Sequence, residues 1–196
     1  MMNQFTDPAA LAQAAFRAHL AGDSRALCEM THPDAARRYY SDALHYLAEW
    51  LRLGQIQRAV ESGALTPETV GSFRYDSNAP VDDFPIYHLS GMRVFGDITR
   101  LDPRDFLQIA LAGGAEVFGY PRRPDDPWQR IESFQLTGTV VREGDVARVP
   151  YTHTQKEPDA PASTRAGELV AKLLDGYWYL WLHRELFTPL PIFLQE

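Results

Sequence analysis

Tyr151 and His153 are the residues of this sequence whose types and spacing best fit acid–base chemistry. They lie two residues apart in an alternating segment, so both side chains point to the same face of a strand. Imidazole exchanges a proton near neutral pH, and a phenol can donate a hydrogen bond. If that face is concave, the pair predicts a general base beside a hydrogen-bond donor. A half-solvated sheet edge is the alternative interpretation.

His32 is the third candidate catalytic residue. It stands at the exit of a predicted short helix and is followed directly by Pro33 and Asp34. Helix capping and turn formation are sufficient to explain the proline and the aspartate. His32 is therefore a candidate for chemistry, and a structural turn is its alternative.

Several other chemistries lack the residues that they need. The single cysteine, Cys28, cannot form an intramolecular disulfide or a cysteine-based metal site alone. His45 and Glu49 share a helix face, but they lack a second pair of metal ligands. The sequence contains neither a Gly-x-Ser-x-Gly nucleophile elbow nor a glycine-rich phosphate loop. We therefore expect no metal and no cofactor.

Composition bounds the class of protein. The 196 residues are 45% hydrophobic and 23% charged, which is ordinary for a globular chain with a buried core. The formal net charge of −7 disfavours nucleic acid as a partner. No apolar run approaches the roughly 20 residues of a membrane span, and the first residues lack a secretory pattern. A cytoplasmic protein without a membrane partner is the expectation.

The elements that must position these residues divide the chain into four parts within one α+β domain. Residues 7–73 are expected to be helical, residues 74–130 are mixed, residues 131–184 form a strand meander, and residues 185–196 form an apolar tail. No linker separates two self-sufficient cores. The tail is interrupted by two prolines, and an exposed apolar tail would be a liability. We expect it to pack on its own sheet or on a second subunit.

Helical spacing of apolar residues predicts most of the front part. Asp7 and Pro8 open the first helix, because aspartate caps exposed amides and proline fits the first turn. Gly22 ends that helix, and Gly54 is the stop signal of the longer helix over 35–53. The expected helices cover about residues 8–21, 24–30, 35–53, 55–62, 66–73 and 103–112.

A period of two takes over from Ile131. Glu143 to Asp145 predicts one hairpin turn, and Asp175-Gly176 predicts a two-residue turn of type I′. The apolar pieces 84–89 and 92–95 are either short strands or ordered loop, and residues 157–164 are expected to be an exposed loop. The expected strands cover about residues 131–142, 146–155, 168–174 and 177–183.

The order of elements resembles the nuclear-transport-factor-2-like superfamily, the cone-shaped α+β fold shared with ketosteroid isomerase and polyketide cyclases. Three stretches carry the resemblance. The first is His-Leu-Ala-Gly-Asp-Ser-Arg-Ala-Leu at 19–27, a Gly-Asp junction leading into a short helix that ends at 32–34. The second is the hairpin 139–147. The third is the hairpin 173–180, in which an aromatic residue follows the turn.

The resemblance implies N-terminal helices packed on a curved antiparallel sheet, in a cystatin-like cone with a pocket inside. It also implies that His32 borders the mouth of the pocket and that two copies pair through their sheets. The apolar C-terminal tail is the other expected contact between two copies. The aromatic content favours an apolar lining for the pocket. The expected lining residues are Phe16, Trp50, Phe134, Tyr177, Tyr179 and Trp181.

Three hypotheses about function follow. The leading one is a module without catalytic activity that binds a small apolar ligand or a protein partner, present as a homodimer. The alternative is a cofactor-free isomerase, dehydratase or cyclase, in which His153 acts as base and Tyr151 as donor, with His32 as a possible third group. A purely structural dimer is the third hypothesis, and it predicts a cone filled by side chains such as Phe16, Trp50 and Phe134.

Overall fold

Helices form the front of the chain, and a curled antiparallel sheet forms the back, as expected for the α+β class. The computed structural model describes residues 4–63, 66, 80–84, 92–113, 131–156 and 161–181. The helices are α1 (Pro8–Ala21), α2 (Ser24–Met30), α3 (Pro33–Glu61), α4 (Phe95–Ile98) and α5 (Pro103–Gly113). The strands are β1 (Ile131–Leu136), β2 (Val141–Glu143), β3 (Val146–Gln155), β4 (Ser163–Leu174) and β5 (Tyr177–Leu180).

The ends of the first two helices confirm the capping signals in the sequence. The Asp7 carboxylate accepts a hydrogen bond from the Ala10 amide at 3.1 Å, and the Asp23 carboxylate accepts one from the Ala26 amide at 2.9 Å. Each bond satisfies one of the free amides at a helix start. Gly22 ends α1 in the left-handed region, with a φ of 68°. A residue with a side chain adopts that conformation at a cost.

The predicted break at Gly54 is wrong, because α3 runs for 29 residues through that position. A glycine ends a helix when its backbone turns to positive φ, as Gly22 does. Gly54 is not among the positive-φ glycines of the described residues. Within a continuous helix, a glycine costs only about 1 kcal/mol relative to alanine. One long helix therefore replaces the two that were expected.

The middle of the chain is only partly within the described residues. The helix expected from Asp102 is confirmed as α5. Of residues 92–95, expected as a short strand or ordered loop, only Phe95 is helical and begins α4, where the Asp97 carboxylate accepts hydrogen bonds from the amides of Arg93 and Val94. The helix expected over 66–73 lies outside the described residues, apart from Thr66.

The strands of the sheet lie in the order β1-β3-β4-β5, and β2 also pairs with β3. The strand expected over 131–142 is divided into β1 and β2, and Gly138 between them has a φ of 69°. Residues 163–164, expected to lie in an exposed loop, belong to β4, which begins at Ser163 instead of 168 and pairs there with Gln155, whereas residues 157–160 lie outside the described residues. Asp175 and Gly176 both have positive φ, as a type I′ turn requires.

Alternation along β3 defines two faces of the sheet. Every second side chain of β3 is buried, and we call this side the inner face. Helix α1 packs against the inner face, where the ring of its Phe16 stacks on that of Phe134 on β1. We call the opposite side the outer face. The inner residues of β3 are Ala147, Val149, Tyr151, His153 and Gln155.

The last strand, β5, is covered along the edge that does not pair with β4. The Trp178 amide donates to the Phe5 carbonyl at 2.7 Å, and the His32 amide donates to the Leu180 carbonyl at 2.8 Å. Thr31 also forms a parallel bridge with Leu180. An uncovered edge would offer these backbone groups to other chains. Residues preceding α1 and α3 thus form hydrogen bonds with this edge of β5.

Candidate functional site

Tyr151 and His153 both point to the inner face, which confirms that they share one side of a strand. Tyr151 is 0% exposed and His153 is 4% exposed, so neither side chain is on a solvated sheet edge. Their ring centroids are 6.0 Å apart. The pair therefore meets the first condition for a polar site within the fold, namely that both groups are turned away from solvent.

Further ring contacts surround this pair and form what we call the aromatic cluster. Phe16 stacks on Phe134 with centroids 4.3 Å apart and an interplanar angle of 2°. The Phe134 ring then lies 5.8 Å from that of Tyr151 and 5.9 Å from that of His153. His19 meets Phe134 edge-on at 5.7 Å. The aromatic cluster thus consists of Phe16, His19, Phe134, Tyr151 and His153.

Helix and strand periodicity explain why these five side chains meet. Phe16 and His19 are three residues apart on α1, a spacing that places them on neighbouring turns of one helix face. On the sheet, Phe134 lies directly opposite His153 in the pairing of β1 with β3. Opposite residues in an antiparallel pair share a face and contact each other. The cluster is therefore fixed by one helix face and one strand pair.

Gly167, on the neighbouring strand β4, leaves the space that the Tyr151 ring occupies. These two residues lie directly opposite each other in the pairing of β3 with β4. A Cβ atom on Gly167 would lie 2.7 Å from both Cζ and Oη of Tyr151. That distance is much shorter than a normal van der Waals contact. The tyrosine ring therefore occupies the space that any side chain at position 167 would need.

The inner face changes from apolar to polar along β3. Ala147 and Val149 lie at one end, whereas His153 and Gln155 lie at the other, with Gln155 only 5% exposed. On β4, Arg165 is opposite His153 and Ser163 is opposite Gln155. Arg165 is exposed. We call His153, Gln155, Ser163 and Arg165 the polar end of the inner face.

Sequence reasoning placed Gln155 on the same face as the pair, but it missed His19 and Arg165 as site residues. A signal for His19 exists, because it follows Phe16 by three residues on an amphipathic helix. Arg165 was missed because the position of β4 in the sheet was unknown. Its face is set by the register with β3, which local patterns do not reveal.

His32 lies on the other side of the sheet from Tyr151 and His153. Its ring meets the rings of Tyr179 at 6.1 Å and Trp181 at 5.5 Å, both edge-on. These two aromatics alternate with the inward-facing Leu180, so they belong to the outer face. The three candidate catalytic residues are therefore not brought together.

The six expected lining residues also divide between the two faces. Phe16 and Phe134 belong to the aromatic cluster, whereas Tyr177, Tyr179 and Trp181 lie on the outer face. The reason is that Trp178 and Leu180 are the buried residues of β5, so their neighbours point away. The side chain of Trp50 lies outside the described residues. The expected pocket is corrected accordingly: these outer aromatics cannot line the same pocket as Phe16 and Phe134.

The outer aromatics form a cluster of their own with His32 and Lys172. The Lys172 ammonium lies 3.6 Å from the ring centroid of Trp181, a cation–π contact. The His32 Nδ1 atom accepts a hydrogen bond from the Asp34 amide at 3.1 Å. The His32 residue is only 6% exposed. Its role in the structure is to join the start of α3 to the outer face of β5.

Burial lowers the pKa of His32 below its ordinary value. The Asp34 carboxylate acts in the opposite direction, and the cationic side chains of Lys172 and Arg37 add to the lowering, while the Asp145 carboxylate opposes it. The unfolded chain therefore binds the proton more tightly than the folded chain does. Stability is lost as the pH falls through the ordinary pKa of about 6.5 toward the lower value of the folded state.

Replacing His32 with asparagine is expected to remove this pH dependence. The asparagine carbonyl can accept the Asp34 amide as Nδ1 does, but it does not titrate. Urea unfolding at about pH 8 and about pH 5.5 measures the effect. We expect the wild type to lose more stability than His32→Asn on acidification. An equal loss in both proteins would show that protonation of His32 does not destabilise the fold.

Two classes of function are not indicated by the part of the chain that the structure describes. Within it, no group of three or more His, Cys, Asp or Glu side chains is arranged to hold a metal ion. Of the helices in the described ranges, none has the length and apolar character that crossing a membrane requires.

Comparisons with protein-family models, with curated proteins and with solved structures gave no match to this chain. The resemblance to the nuclear-transport-factor-2-like superfamily stays a prediction. Function is therefore inferred from the side chains of the two sheet faces.

Proposed function

We propose that this protein binds a small, mostly apolar molecule at the inner face of its sheet. One observation carries the proposal: Tyr151 and His153 lie side by side, 0% and 4% exposed, within the aromatic cluster. Small-molecule sites typically combine an apolar lining with a few placed polar groups. The aromatic rings provide the apolar surface, and Tyr151 and His153 provide the polar groups.

A purely structural core accounts less well for this choice of residues. Cores built for stability favour aliphatic residues. The same strand shows that aliphatic residues fit the inner face, because Val149 and Ala147 are buried two and four positions before Tyr151. The change to Tyr151, His153 and Gln155 supports recognition of a ligand with at least one polar group.

The enzymatic alternative is less well supported than binding. Tyr151 and His153 point inward, which acid–base chemistry would require of them. The third expected group, His32, instead contacts Tyr179 and Trp181 on the outer face. A cofactor-free isomerase, dehydratase or cyclase would have to work with the pair alone. We therefore place binding first and catalysis second.

The cone interpretation of the fold is part of the same proposal. A curled antiparallel sheet with N-terminal helices against it supports a likeness to the nuclear-transport-factor-2-like superfamily. In that interpretation, the curl of the sheet shapes the ligand site and the outer face pairs with a second copy. We propose a homodimer through the outer aromatics Tyr177, Tyr179 and Trp181. The mass of the native protein tests it, and a monomer would exclude it.

Titration with N-phenyl-1-naphthylamine, a neutral apolar dye that fluoresces in apolar surroundings, tests the binding site. We expect saturable binding by the wild type. The substitution His153→Trp is expected to weaken it by about tenfold or more, because the larger ring fills the inner face. Thr154→Trp is the matched control, since Thr154 is the next residue of β3 and faces outward.

Two results would contradict the proposal. One is dye fluorescence that rises without saturation, which indicates nonspecific adsorption. The other is an equal effect of His153→Trp and Thr154→Trp, because the site would then not lie on the inner face. Circular dichroism verifies that both variants are folded. If His153→Trp fails to fold, His153→Phe replaces it, since phenylalanine keeps a ring of similar size and removes both ring nitrogens. The ligand that wild type retains during purification, identified by native mass spectrometry, is then expected to be lost from His153→Phe.

A further inference from the structure

We infer that the ligand of the inner face carries a carboxylate, and that Arg165 binds it. This inference rests on the proposed function and names the class of ligand: an organic acid with an apolar body. It is carried by the position of an exposed arginine opposite His153, at the polar end of the inner face.

The register of the sheet places Arg165 at this site. Arg165 lies directly opposite His153, and the pairing of β3 with β4 continues regularly to Gln155 and Ser163. Opposite residues share a face, so Arg165 belongs to the same side as His153. Two residues farther along β4, Gly167 leaves room for the Tyr151 ring. An arginine and an aromatic surface therefore follow each other along the inner face.

No carboxylate of the described residues pairs with the guanidinium of Arg165. Arg148, on the outer face of the same strand pair, lies 3.6 Å from the Glu168 carboxylate. The Arg165 side chain makes no such ion pair or hydrogen bond with any residue in the described ranges. Arg148 is thus paired with a carboxylate of this chain, whereas Arg165 is able to bind the carboxylate of a ligand.

The chemistry of the neighbouring groups favours a carboxylate. Guanidinium presents two parallel N–H donors that match the two oxygens of a carboxylate. His153 and Gln155 lie on the same face as Arg165, so the surroundings of the guanidinium are polar. Phe134 and Phe16 extend the apolar surface from His153 toward α1. An apolar chain ending in one carboxylate fits this order of groups.

Displacement of the bound dye by decanoate and by 1-decanol tests the inference. The two compounds have the same apolar chain, but only decanoate is charged at neutral pH. We expect the wild type to bind decanoate more tightly than decanol. Arg165→Gln is expected to weaken decanoate binding by about tenfold or more, because a charge-assisted hydrogen bond is lost, and to leave decanol binding within about twofold. Arg165→Lys keeps the positive charge but not the two parallel N–H donors. Its affinity for decanoate is expected to lie between those of the wild type and Arg165→Gln.

Arg148→Gln is the matched control, since it removes one arginine from the outer face of the same strands. It is expected to change neither affinity. If decanoate and decanol bind equally, or if Arg165→Gln weakens both alike, the carboxylate inference is overturned while the apolar site stands. If the wild type binds neither the dye nor decanoate nor decanol, the proposed function itself fails.

Discussion

Replacing Phe16 with alanine is expected to lower the free energy of unfolding by about 3–5 kcal/mol, the range for truncating a buried phenylalanine. The residue is 5% exposed and stacks on Phe134 at 4.3 Å. It also meets the Tyr151 ring at 5.0 Å. Removing the ring leaves a cavity between α1 and the sheet, and it separates the helix from both strands that carry the site.

Urea denaturation followed by circular dichroism measures this loss as a lower midpoint at an unchanged slope. Phe16→Leu is the matched control, because leucine keeps most of the apolar volume, and it is expected to retain most of the stability. Combining Phe16→Ala with Phe134→Ala completes a double-mutant cycle. We expect a coupling of about 0.5–1.5 kcal/mol beyond the lost burial, as aromatic pairs show. A loss below about 1 kcal/mol for Phe16→Ala would contradict the packing described.

Replacing Gly167 with alanine is expected to cost about 1–3 kcal/mol, the usual range for forcing extra volume into a packed core. Adding one methyl group normally stabilises a strand relative to glycine, so the sign of this change is diagnostic. Here, the new Cβ would lie 2.7 Å from two atoms of the Tyr151 ring, which is itself 0% exposed. A buried ring has no free direction in which to move, so either the ring or the strand must shift.

The background of Tyr151→Leu separates this clash from a general effect on β4. Leucine is shorter than tyrosine, so Gly167→Ala is expected to cost much less in that background than in the wild type. Ala166→Val on the exposed neighbouring position is the control for changes in strand propensity. An equal cost of Gly167→Ala in both backgrounds would mean that the Tyr151 ring does not contact position 167.

Local signals in the sequence were sufficient for the helix starts and for the alternation of β3. Asp7 and Asp23 cap their helices as expected, because capping depends only on residues three positions away. The common face of Tyr151 and His153 was predicted for the same reason, since alternation is a property of one strand. The helix end predicted at Gly54 was wrong because a glycine can end a helix or continue it, and tertiary contacts decide which occurs.

The relation between strands was beyond these local signals. The Asp175-Gly176 turn fixes the pairing of Leu174 with Tyr177, so β4 and β5 have a known relation. The connection from β3 to β4 is longer and does not fix a register. Without that register, the faces of Tyr177 and Tyr179 relative to Tyr151 were undetermined. The position of Arg165 opposite His153 was undetermined for the same reason.

The covered edge of β5 has a consequence for the order in which the chain can fold. Phe5 and Thr31 are made early, whereas their partners Trp178 and Leu180 are made near the end of the described chain. During synthesis, α1 and α2 therefore emerge long before the strand that joins them to the sheet. Contacts between residues so distant in sequence slow folding, because a long loop must close first. Until the strands are made, the surface of α1 that packs on the sheet stays exposed, a state in which chaperone binding is expected.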